Sequence, residues 1–159
     1  MSWRSTEVEF VELGETFIAG LAVRSPKRPL GALRDHNLEE AWSSVLQEDL
    51  PGPLASIYID HAREIDSYYT QVVGYRCSSI DEVLRGHVLA RVPAGRYAKF
   101  VSLGEFPDVV AGLWEQLRRA EESGRIVRAL TGDFELYPNA FRIDLYVAVV
   151  PPRTGETSI

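Results

Sequence analysis

Asp133-Phe134-Glu135-Leu136-Tyr137 sets a carboxylate in the middle of a run that otherwise reads as a buried strand. Side chains alternate across a strand, so Asp133, Glu135 and Tyr137 share one face and Phe134 and Leu136 the other, where they are expected to pack beneath helices. A buried carboxylate is costly unless a cation or hydrogen-bond donors meet it. The neighbouring run has Phe141, Ile143, Leu145, Val147 and Val149 as its core set, which leaves Arg142, Asp144, Tyr146 and Ala148 for the Glu135 side. Arg142 is the obvious internal counter-charge, and its pairing with Glu135 is one of two readings that the residues leave open.

Working outward, the runs 126–137 and 141–150 are the last two strands, separated by a turn at Pro138-Asn139 and closed by Pro151-Pro152. Before them Phe106, Val110, Leu113, Trp114 and Leu117 form a helical apolar stripe that Gly124 stops. Ahead of that, Val88–Val92 and Arg96–Val101 read as one strand interrupted at Pro93-Ala94-Gly95. The first half has the same order. Val8–Leu13 and Phe17–Val23 read as a strand bent around Gly14, and Leu38, Ala41, Trp42, Val45 and Leu46 make a helical stripe capped by Asp35 or Asn37. Leu54–Asp60 and Tyr68–Arg76 then supply two strands. The chain is therefore expected to be one domain over 1–159, an α+β fold of duplicated βαββ units at 7–76 and 87–150, with a mobile tail at 151–159. Two such units share one curved antiparallel sheet with both helices on one face, and a ligand groove is expected at their pseudo-twofold.

Composition narrows the function. Apolar residues at 45% and charged residues at 25% suit a globular chain with a full core rather than disorder. The net charge of −6 disfavours nonspecific nucleic-acid binding, and the short basic loop at Lys27 and Arg28 lacks interleaved aromatics. There is neither a signal-peptide pattern nor an apolar run long enough for a membrane span, so a cytoplasmic location is expected. The single cysteine, Cys77, excludes an internal disulfide and a cysteine zinc site. Asp60, His61, Glu64 and Asp66 lack a defined metal-loop spacing, His36 and His87 lack a nucleophile motif, and no glycine pattern cradles a phosphate. No metal and no cofactor is expected.

VPAGRYAKF at 92–100, Gly104, Trp114, DFELY at 133–137 and DLYVAV at 144–149, taken in order, resemble the GyrI-like small-molecule-binding family. That family includes the effector-binding domains of AraC-type and MerR-type transcription regulators. The resemblance spans roughly 6–150 and implies a (βαββ)2 fold whose pocket at the pseudo-twofold holds one acidic residue among aromatics. It maps the family's glutamate onto Glu135, where relatives meet the positive charge of lipophilic cations. The chain departs from the pattern in Tyr146-Val147-Ala148-Val149, which lacks the usual proline, and in EESGRIVRALTG after the second helix. A DNA-binding segment is not expected, so the chain resembles a stand-alone member.

Glu135 is thus expected to hold a cationic or aromatic small molecule, with Tyr97 and Tyr146 as walls, Tyr137 beside it, and Tyr58 and Tyr68 contributed by the first half. Trp42 and Trp114 stand between pocket floor and helix-to-sheet packing. Two further readings compete with capture. Some relatives resemble hydrolases that open cyclopropane-bearing genotoxins, for which Glu135 with Tyr97 or Tyr146 would supply the general base. The third is a protein-interaction module, pairing with a separately encoded regulator or a topoisomerase.

Overall fold

Gly14-Glu15 and Pro93-Ala94 are the two places where the chain changes neighbours, and they organise the whole sheet. The computed structural model describes residues 8–25, 36–60, 69–105 and 108–151. Among them the elements are β1 (Glu9–Leu13), β2 (Thr16–Ser25), α1 (His36–Leu46), β3 (Leu54–Ile59), β4 (Tyr69–Cys77), β5 (Val88–Val92), β6 (Gly95–Leu103), α2 (Asp108–Glu122), β7 (Asp133–Asn139) and β8 (Arg142–Ala148). The eight strands form one antiparallel sheet in the order β1-β6-β8-β7-β3-β4-β2-β5, curled into a half-barrel.

Read inward from either edge, that order runs through equivalent elements: β1, β6, β8, β7 from one side and β5, β2, β4, β3 from the other. The expectation of one bent strand at the head of each unit is corrected here. β1 pairs with β6 while β2 pairs with β4, and β5 pairs with β2 while β6 pairs with β8, so each unit lends its leading strand to the other. At the first break Glu15 forms an ion pair of 3.1 Å with Arg91 of β5. At the centre, β3 and β7 meet with Ala55 opposite Leu136, Ser56 opposite Glu135 and Ile57 opposite Phe134.

Both helices lie on one face, each over its own core. Ala41 and Val45 of α1 pack on Val23 and Val73, whereas Leu113, Leu117 and Ala120 of α2 pack on Ala98, Phe100, Ile143, Leu145 and Val147. The other face curls onto itself, gathering Ile18, Ile57, Val72, Val92, Tyr97, Phe134 and Ala148. Phe134 and Leu136 therefore pack away from the helices, contrary to expectation, because it is the Glu135 face that the helices cover.

The last hairpin also differs from its reading. β7 starts only at Asp133, since Leu130 (φ 58°) lies in the left-handed region and residues 126–132 contribute just an isolated bridge, Arg128 to Val149. Pro138 sits within β7 at a register shift between Leu136 and Asn139, and the turn falls at Ala140-Phe141. Asp35, Lys27, Arg28, His61, Glu64, Asp66, Tyr68, Phe106 and the tail from 152 lie outside the described residues, as do the side chain of Val110 and every role assigned to it.

Candidate functional site

Ser56 and Glu135 are each the third residue of their strands, β3 and β7, and they face one another in register. A pseudo-twofold that exchanges β3 with β7 therefore runs between these two residues. The fifth residues are Tyr58 and Tyr137, and the seventh residues of α1 and α2 are Trp42 and Trp114. The contacts obey the same symmetry across units. Trp42 meets Tyr137 edge-on with centroids 5.4 Å apart at 83°, and Trp114 meets Tyr58 at 5.7 Å and 76°. Two Trp–Tyr corners thus flank one carboxylate.

Glu135 is 4% exposed, and its hydrogen bonds among the described residues come from hydroxyls. Ser56 Oγ donates to Oε1 at 3.3 Å, Tyr58 Oη donates to Oε2 at 3.2 Å, and the Tyr137 hydroxyl donates to Oε1. Gln71 Nε2 supports Ser56 Oγ at 3.3 Å, and Tyr69 packs against the Tyr58 ring at 5.3 Å. Burial pushes the Glu135 carboxyl above the usual glutamate range, and the donors Tyr137, Tyr58 and Ser56, with the nearby Trp114 indole, pull it back only in part. The Trp114 Nε1 atom, though close enough to favour the charged form, is buried without a hydrogen-bond partner. Burial, and then the Glu135 charge, hold the hydroxyls of Tyr58 and Tyr137 well above the ordinary tyrosine range, so both remain donors.

Among the described residues Glu135 has no ion-pair partner. Arg142 turns to Asp144 on its own strand, Nε to Oδ1 at 2.7 Å, and Arg128 pairs with Asp133. Two of the expected walls do not share this site. Phe134, not Glu135, stands opposite Tyr146 in register; their rings stack at 4.7 Å and 7°, and Tyr97 meets Phe134 edge-on at 5.6 Å. The expected parity between the last two strands was one residue out, so Tyr97 and Tyr146 fall on the face away from Glu135. Tyr97 is further occupied by donating to the Pro93 carbonyl at 2.6 Å, and burial raises its hydroxyl to about 12. Tyr58, Tyr137, Trp42 and Trp114 are brought together. Ser56, Gln71 and Tyr69 were not foreseen; aligning the two units strand by strand would have exposed Ser56 as the counterpart of Glu135.

A duplicated antiparallel sheet with two helices on one face is the fold of an effector-binding protein. The chain belongs to the family of integron-associated effector binding proteins, Cass2, whose model matches residues 9–149. No functionally curated protein matches the sequence. Solved structures share the fold. An integron cassette protein from the mobile metagenome of Vibrio cholerae superposes with a TM-score of 0.74 at 20% identity, covering 90% of this chain and 95% of that one. SAV2435, solved bound to tetraphenylphosphonium, gives 0.66 at 11% identity over 91% of this chain and 94% of its own. A putative transcription regulation protein from Staphylococcus aureus MU50 gives 0.62 at 13% identity over 91% and 99%. No helix among the described residues is long and apolar enough to cross a membrane.

Proposed function

We propose that the protein captures a lipophilic, aromatic cation, with Glu135 as the counter-charge and the rings of Trp42, Trp114, Tyr58 and Tyr137 as the cage. The observation that carries this reading is a carboxylate 4% exposed, among four aromatic rings, with no ion-pair partner among the described residues. Ring faces attract cations, and a desolvated carboxylate beside them strengthens that attraction. Tetraphenylphosphonium, the ligand of SAV2435, has this chemistry, and the resemblance to GyrI-like effector-binding domains supports the same class. Sensing or sequestration of such a compound follows from binding without turnover. The hydrolase reading called on Tyr97 or Tyr146, which lie across the sheet from Glu135, while the two tyrosines beside the carboxylate already donate to it. That arrangement favours capture.

Titration calorimetry with tetraphenylphosphonium tests the proposal. Glu135→Gln is expected to lower affinity by about 10-fold or more, on the order of 1.4 kcal/mol, and Arg142→Gln to leave it unchanged. Equal affinity of Glu135→Gln and the parent protein would remove the electrostatic role.

A further inference from the structure

The two Trp–Tyr corners of the duplication are alike, and its centre is not. Each half contributes one Trp–Tyr corner of nearly the same geometry, 5.4 Å and 83° against 5.7 Å and 76°. The two equivalent tyrosines divide the single carboxylate between them, Tyr58 donating to Oε2 and Tyr137 to Oε1. Although it belongs to one half, the charge is therefore presented on the axis. Its counterpart across the axis is Ser56, which is fully buried, neutral and bonded to the same carboxylate. We infer that the site selects a monocation carrying two aromatic arms, one arm for each Trp–Tyr corner, and that Ser56 is the residue limiting the site to a single positive charge. This rests on Glu135 acting as the counter-charge.

The physical reason lies in what each position offers. A positive centre on the axis is equidistant from the two corners, so a ligand with one arm leaves a Trp–Tyr corner unfilled and forfeits its contact area. A second positive charge would find hydroxyls opposite Glu135, while Asp133, the other carboxylate of β7, is already paired with Arg128, so that charge would pay desolvation without compensation. Ser56 Oγ, Tyr58 Oη and Tyr137 Oη also already occupy the carboxylate, which leaves the ligand to interact by charge and ring faces rather than through N–H donors. The halves are not identical. Arg128, paired with Asp133, lies 5.8 Å from the Trp114 ring centroid, and Tyr69 backs Tyr58. These groups support the corner formed by Trp114.

Calorimetry with three probes decides the matter: dibenzyldimethylammonium (one charge, two arms), benzyltrimethylammonium (one charge, one arm) and benzyl viologen (two charges, two benzyl arms). The two-armed monocation should bind about 10-fold or more tightly than the one-armed probe, and more tightly than the dication. Trp42→Leu and Trp114→Leu, each checked for a native circular dichroism spectrum, should each bring the two-armed probe down to the one-armed level, with losses within about threefold of one another. Ser56→Asp should reverse the preference toward the dication; if that variant does not fold, the order of the three probes on the parent protein still decides. Equal affinity for one and two arms, a loss confined to one tryptophan, or a dication that binds best would overturn the inference. Glu135→Gln separates the two levels. If it leaves all probes unaffected, the counter-charge reading itself fails; if it weakens all of them while one and two arms remain equal, only the two-armed, single-charge inference fails.

Discussion

Glu135 is a group whose burial works against the free fold in its charged form. In the unfolded chain a glutamate titrates at about 4.3, whereas in the folded protein burial raises Glu135 above its usual range. The folded state thus holds this proton more tightly than the unfolded one. Its contribution to stability is fully present below the ordinary glutamate range and is lost as pH climbs through the raised value. Under the proposed function a permanent cation would have the opposite dependence, since it would bind the ionised form. Affinity for tetraphenylphosphonium is expected to rise with pH across that window while the stability of the free protein falls, and Glu135→Gln should flatten both trends. Calorimetry and thermal melts over a pH series measure the two slopes; a parent protein with parallel slopes would contradict the assignment. The identity of this residue was legible from the sequence because an acid interrupts an apolar run. Its actual partners were not: Ser56, Tyr58 and Gln71 lie more than sixty residues away in the chain and reach it only through the pairing of β3 with β7.

The strands and helices follow local rules closely, and their failures are informative. Helical spacing of Ala41, Trp42 and Val45, and of Leu113, Trp114 and Leu117, foretold α1 and α2, because a stripe of that period has to be buried against a sheet. Alternation foretold the two faces of β7 and β8. Their relative parity differs from expectation, since the register shift at Pro138 alters which residues stand opposite; this puts Tyr146 on the Phe134 face, and Tyr97, opposite Ala148, joins it there. Close approach of β2 to β4 is another feature that no local pattern revealed. At Gly74 an added Cβ would lie 1.9 Å from the Ala19 carbonyl oxygen. Backbone on both sides cannot yield, so Gly74→Ala is expected to destabilise the protein by about 3 kcal/mol or more. Chemical denaturation measures it, and a loss below about 1 kcal/mol would show that the two strands part easily.

The molecule as a whole is two units that cannot be separated without unpairing strands. β1 of the first unit closes on β6, β5 of the second closes on β2, and β3 and β7 are joined at the axis. Fragments 1–86 and 87–159, expressed apart, are expected to lack a cooperative thermal transition and to regain one on mixing, as circular dichroism would show. A fragment that melts cooperatively by itself would mean that the exchanged strands are dispensable. By itself the sequence determined the element types, the duplicated order, the apolar stripes and the acid at position 135, since these depend on periodicity and composition within short windows. Only the tertiary structure decided that the leading strands change sides, that the helices cover the Glu135 face, that Arg142 is committed to Asp144, and that Ser56 meets Glu135 on the pseudo-twofold. Those outcomes depend on register and long-range pairing, where a shift of one residue turns a side chain to the opposite face.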